Sequence, residues 1–208
     1  MVARLDGRAV TFSVLPDVAA VLAEPDVEII GIDMPIGLSD DGARACDLEA
    51  RRRLGRAHSS VFPAPVRPVL AASSYSEACM LSLHARGKSL SRQTFGIVPA
   101  IKALDDALGD PPDPRVREVH PEVSFRALDG RVTDPKASES GRAQRLRALQ
   151  EVMDVVEALA AAPRPLPVVD ALDACAAAWS AQRVADRRAS FVGDYRPDSR
   201  GRPMRIHF

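Results

Sequence analysis

The run Ile29-Ile30-Gly31-Ile32-Asp33-Met34-Pro35 constrains the fold more than any other stretch. A β-branched apolar run of this kind reads as a fully buried strand. Pro35 cannot donate a ladder hydrogen bond, so Asp33 falls where the strand leaves its sheet. In open α/β sheets ligands bind beyond the carboxyl ends of the strands. Asp33 is therefore a candidate site residue, although an isolated Asp-x-Pro equally suits an Asx turn. A similar arrangement returns at residues 115–120, where Val116, Glu118 and His120 share one face of a second strand. Pro121 then suits the first turn of a helix that Gly130 stops. Acids are depleted in strands, so Glu118 is the favoured site carboxylate, while Glu122 is explained by the helix dipole. His120 suits a strand-end cap and a site residue equally.

Between and around these strands the sequence reads as alternating elements. Val10, Phe12 and Val14 form a half-buried strand, and Asp6-Gly7 joins it to residues 2–5 as a hairpin. This gives Asp6 a turn role. Residues 16–23 read as a short helix. Ser39 or Asp40 can cap a helix running to Leu54, with Cys46, Ala50 and Leu54 inside and Gly55 as its stop. Its arginines, Arg44 and Arg51 among them, suit a solvated face or a phosphate-contacting one equally. The stretch 58–68 carries three prolines and reads as a stiff loop, which suits equally a structural connection and a pocket lining through His58, Ser59, Ser60 and Arg67. Helices are predicted over 75–86 and 95–108, with Lys88 and Gln93 as donors in the loop between them. Residues 133–141 read as loop, 142–161 as one long helix, and Pro163, Pro165 and Pro167 as its end. A last helix starts near Val168, with Asp170 and Asp173 neighbours on one face. Residues 187–199 read as polar loop and 201–208 as an edge strand.

Composition excludes several classes. The 208 residues suffice for one well-buried domain, and 28 basic residues balance 28 acidic ones. Neutrality argues against a protein held on nucleic acid by overall charge, though not against a local basic surface. Three widely spaced cysteines form neither a disulfide framework nor a zinc motif. No stretch approaches the ~20 apolar residues of a membrane span, and residues 1–8 carry charges where a signal peptide would be apolar. The expectation is a cytoplasmic protein without a membrane partner.

Two strand-end carboxylates and a helical Asp-x-x-Asp make four acids, Asp33, Glu118, Asp170 and Asp173. Acids that converge repel one another unless a cation lies between them. All-oxygen ligands select hard ions such as Mg²⁺ or Mn²⁺. A pair of such ions about 3.5–4 Å apart can hydrolyse a phosphodiester. No Walker loop, GxSxG elbow or GxGxxG favours another chemistry.

The segments GIDMPIGL (31–38), RACDLEARRRLG (44–55), SSVFPAPVR (59–67), GKSLSRQ (87–93), EVHPEVSF (118–125), DALDACAAAW (170–179) and RGRPMRI (200–206) resemble the DUF429 family. Its members are predicted nucleases of RNase H-like fold. The resemblance implies an α/β domain with a mixed RNase H-like sheet, an N-terminal antiparallel hairpin and flanking helices. It matches Asp33, Glu118 and Asp173 to the family's acidic, catalytic positions, with Asp170 as a fourth metal ligand. Arg44, Arg51, Ser59, Ser60, Arg67, Lys88 and Gln93 would then hold the phosphates of a nucleic acid or nucleotide. Two departures stand out. Family members begin with a GVDG-type strand whose aspartate resembles a central metal ligand, and this chain starts past it. Ala100 stands where a basic residue is expected after Pro99. The expectation is one domain over 1–208 lacking the start of its first strand, with impaired hydrolysis. The alternative is a non-catalytic nucleic-acid or nucleotide binding module on the same fold. Phosphoryl transfer to a small molecule is a third reading, without a phosphate loop to support it.

Overall fold

A computed structural model describes residues 1–162 and 164–208, so Pro163 of the three predicted helix-breaking prolines lies outside the described residues. The elements are β1 (Val2–Asp6), β2 (Ala9–Ser13), α1 (Val18–Leu22), β3 (Ile30–Ile32), α2 (Ala45–Leu54), α3 (Tyr75–Arg86), α4 (Arg92–Ala107) and β4 (Val116–Glu118). There follow α5 (Pro121–Leu128), α6 (Glu139–Gln150), α7 (Val155–Ala161), α8 (Val168–Ala185), β5 (Phe191–Pro197) and β6 (Pro203–His207). The protein is thus of mixed α/β class, and among the described residues no helix is long and apolar enough to cross a membrane. The chain divides into two compact units. One comprises residues 1–33, 119–190 and 207–208, the other residues 34–118 and 191–206.

In the first unit β1 and β2 pair antiparallel from Val2↔Ser13 to Asp6↔Ala9. Gly7 takes the turn with φ +57°, a conformation in which a Cβ would be strained. Beyond β3, the Val119 N–H donates to the Ile32 carbonyl at 3.0 Å, and Val119 bridges His207 in parallel. The core joins Val10, Phe125, Leu149, Met153, Leu172 and Trp179, drawn from the hairpin, α5, α8 and the α6–α7 region. The alanines of α8 let it lie close to β3. A Cβ on Gly31 would meet the Ala177 carbonyl oxygen at 2.8 Å.

The expected single helix over 142–161 is two helices. Arg8, in the hairpin turn, donates to the carbonyls of Gln150 and Glu151 and to the Asp154 carboxylate, satisfying the end of α6 where the chain breaks.

The second unit packs α3 and α4 with the 3₁₀ turn Arg67–Ala71 around Val66, Val69, Ala78, Leu90 and Val98. A second cluster joins Leu38, Ala64 and Ile101. Ser74 and Ser91 cap α3 and α4 through their side chains, and Gly87 ends α3 at φ +70°. Capping by Ser91 starts α4 three residues before the predicted Phe95. Conversely, α2 starts at Ala45 and not after Ser39 or Asp40, because the Ser39 hydroxyl accepts the Gly42 N–H and closes a local turn instead. Residues 191–197, predicted as loop, form β5 beside β6.

Candidate functional site

Three carboxylates of the first unit come from three elements. Asp33 follows β3, Glu122 lies in the first turn of α5, and Asp173 stands in the second turn of α8. Their charges act on one another. Burial raises the pKa of Asp33; His120 and Lys136 oppose this, and Asp173 and Glu122 add to it. The residue nevertheless remains exposed, so its carboxyl is crowded by protein on some sides and open to solvent on another. Burial also raises Asp173, Lys136 and Arg145 pull it down, and Glu122 again adds to the rise. The Lys136 ammonium sits 2.7 Å from Asp173 Oδ2. The second oxygen, Oδ1, is buried without a hydrogen-bond partner.

Glu122 is held differently. Arg145 of α6 grips both its oxygens, at 2.8 and 2.7 Å, while its other terminal nitrogen donates to the carbonyls of Asp134 and Gly141. One nitrogen thus meets both carboxylate oxygens while the other anchors the guanidinium to the backbone. Asp170 is exposed in the first turn of α8 and is not among the charges acting most strongly on Asp33 or Asp173.

Glu118 belongs to the second unit and to a different network. Arg44 is 3% exposed and Glu118 5%. Arg44 donates to both Glu118 oxygens at 2.7 Å, to the Asp47 carboxylate, and to the carbonyls of Ile36 and Gly37. Glu118 also accepts the Ile36 N–H at 2.7 Å, and Asp47 the Ala64 N–H at 2.9 Å. Burial pushes the Glu118 carboxyl up to about 7, against the pull of Arg44. Arg44 itself stays protonated, because both carboxylates lie against it. Candidate ligand atoms of Cys46, Asp47 and Glu118 lie within 4.8 Å of one another, the one such triplet among the described residues. The Arg44 guanidinium already supplies the cation there. Burial, moreover, holds the Cys46 thiol far above its ordinary range, where it is a poor ligand.

The predicted phosphate-contacting residues scatter by environment. Arg44 is consumed by the buried pair. Arg51 donates to the Val61 carbonyl, and the Ser60 hydroxyl to that of Ala57. Arg67 donates to Asp105 at 2.9 Å and to Asp198. Ser59, Lys88 and Gln93 are exposed. Around Asp105 the second unit builds an ionic cluster absent from the sequence reading, with Arg67, Arg200 and Arg202 as its cations. Asp198 accepts the Leu38, Arg200 and Arg202 N–H groups. Lys136 and Arg145 were missed as well. Arg145 carried a usable signal, because it lies on the buried side of α6 with Ala148 and Leu149.

The fold is thus mixed α/β, with Asp33, Glu118 and Asp173 raised by burial and Asp105 and Asp198 held low by arginines and backbone N–H groups. The family described as Protein of unknown function (DUF429) matches residues 1–196, and the chain belongs to that family. No curated protein and no solved structure matches it.

Proposed function

We propose that this protein is a divalent-cation-dependent phosphodiesterase of RNase H-like fold, acting on nucleic acid or a nucleotide, with Asp33, Glu122 and Asp173 as the metal-holding acids. The observation that carries this reading is the state of Asp173: raised by burial and by Glu122 against the pull of Lys136 and Arg145, with one oxygen buried and unbonded. Carboxylates are the oxygen donors that Mg²⁺ or Mn²⁺ takes, and an ion would draw these three closer, since their ligand atoms do not all lie within 4.8 Å of one another. Glu122 stands in place of Glu118, whose oxygens are committed to Arg44. The RNase H-like reading is supported by the N-terminal hairpin and by the backbone of Val119, joined to Ile32 on one hand and His207 on the other. Three free cysteines accord with a reducing, cytoplasmic setting.

A bound ion would polarise a phosphoryl oxygen and acidify a water. The chain supplies the rest. Arg145 keeps Glu122 oriented. Lys136 neutralises Asp173 in the ion's absence and, half exposed on a flexible stem, yields to a stronger cation. Asp33, raised yet reachable from solvent, would release its proton on taking the ion. A second reading, the non-catalytic binding module, is favoured by the same Lys136–Asp173 pair, which provides positive charge internally.

The experiment is a Mn²⁺ titration followed by calorimetry, with cleavage of single- and double-stranded DNA and RNA measured in parallel. Wild type should bind and cleave. Asp33→Asn and Asp173→Asn should lose both, Lys136→Met should bind Mn²⁺ more tightly, and Glu118→Gln should leave Mn²⁺ affinity unchanged if it folds. Mn²⁺ binding without cleavage selects the second reading; no binding in any form rejects the metal site.

A further inference from the structure

We propose that the β5–β6 ribbon of the second unit is a stacking platform for single-stranded nucleic acid, with Tyr195 receiving a base and Arg117 and Arg205 the adjoining phosphates. This extends the nucleic-acid reading above, but it uses none of the first unit's acids.

Tyr195 is 77% exposed, an unusual position for a large aromatic ring. It is held there all the same. The Arg205 guanidinium lies 4.2 Å over the Tyr195 ring and 4.8 Å over that of Phe191. Phe191 meets Tyr195 edge-on, with centroids 5.5 Å apart and planes at 88°. Arg205 Nε donates to the Asp194 carbonyl at 2.8 Å, which sets the plane of the guanidinium. With one ring face under Arg205, the exposure is of the other face and the hydroxyl end. A ring pre-positioned in this way loses little freedom when a base stacks on it.

Arginines stand beside the ring, and Glu49, an acid that reaches β5 from α2, is engaged by the Gly193 N–H. Arg117 is tied by its terminal nitrogen to the carbonyls of Pro114 and Val116, close enough to Arg205 that, after burial, the Arg205 charge is the main influence lowering its pKa. Two guanidiniums therefore repel each other across this surface, and an anion between them would relieve both. Nearby acids are occupied: Asp113 is gripped by Arg115, and the Asp194 carboxylate accepts the Arg196 N–H. Aromatic rings set among cations are how proteins hold unpaired strands, since every base offers a π-face and every linkage a charge. A duplex offers only the charge, because its bases are already stacked.

The test is fluorescence anisotropy of a fluorescein-labelled mixed-sequence oligonucleotide with the full chain in EDTA, alongside the duplex of the same sequence. The single strand should bind more tightly than the duplex. Tyr195→Ala should weaken it about tenfold and Tyr195→Phe little, since stacking needs the ring and not the hydroxyl. Arg117→Ala and Arg205→Ala should each flatten the salt dependence, by about 0.7 in log–log slope per cation. An exposed ring can be removed without unfolding, and unchanged circular dichroism confirms this for each variant. Equal affinity for Tyr195→Ala and wild type, duplex bound at least as tightly, or no binding at low salt would each overturn the platform. Because EDTA removes divalent ions, failure here is separable from failure of Mn²⁺ binding at Asp33 and Asp173.

Discussion

In the second unit, Asp105 and Asp198 are surrounded by donors; in the first, Asp33 and Asp173 share their few cations with other acids. Burial alone would raise all four. At Asp105, Arg67, Arg200 and Arg202 outweigh it and hold the carboxyl below its ordinary range. At Asp198 the N–H groups of Arg202, Leu38 and Arg200, with the Arg67 side chain, do the same. At Asp33 and Asp173 the nearby positive charge is too little, and both end high. The same residue type thus serves as a structural tie where its partners are complete and keeps a raised pKa where they are not. Proteins keep such unsatisfied groups at sites of function, at a cost in stability.

The contrast breaks most visibly at Arg44. Arg44→Met leaves Glu118 and Asp47 buried without the one cation they share. The expected loss is about 3–5 kcal/mol in urea denaturation, and a loss under 1 kcal/mol would mean the pair is not buried as described. Asp173→Asn should move stability the other way, raising it by up to about 1 kcal/mol while abolishing Mn²⁺ binding. It relieves repulsion and gives up only an ion pair with a half-exposed lysine. Destabilisation by Asp173→Asn would place it among the structural ties.

The finest test is pH. Asp33 and Asp173 titrate above the ordinary 3.8 in the folded chain, so their contribution is present below that value and fades as pH rises through their raised values. Asp105 and Asp198 titrate below it, so theirs is complete above the ordinary value and fades as pH falls through the lowered ones. Urea midpoints against pH should therefore show the advantage of Asp173→Asn growing toward neutrality. Any deficit of Asp105→Asn should shrink in acid.

Local signals made part of this legible in the sequence. Asp-Gly fixed the hairpin, Gly87 the end of α3 and Pro121 the start of α5, because each acts through its own backbone. What escaped depends on distant partners. Arg8 reaches residues more than 140 positions away to divide α6 from α7. β5 carries too little apolar periodicity to be read without its neighbour β6. Strand periodicity singled out Glu118 as a site carboxylate, and in the fold it is buried against Arg44. Nothing local says that an arginine 74 positions earlier meets it. Glu122, with a sufficient local explanation, is the glutamate whose charge bears on Asp33 and Asp173.

Gly31 carries a consequence for those two acids. It precedes Asp33 by two residues, and its missing side chain is what lets the Ala177 carbonyl, one turn beyond Asp173, approach the strand. The spacing between strand and helix is therefore gauged by bare backbone, which cannot change rotamer or compress. A methyl group inserted there acts as a shim under α8, displacing one carboxylate from the other while touching neither.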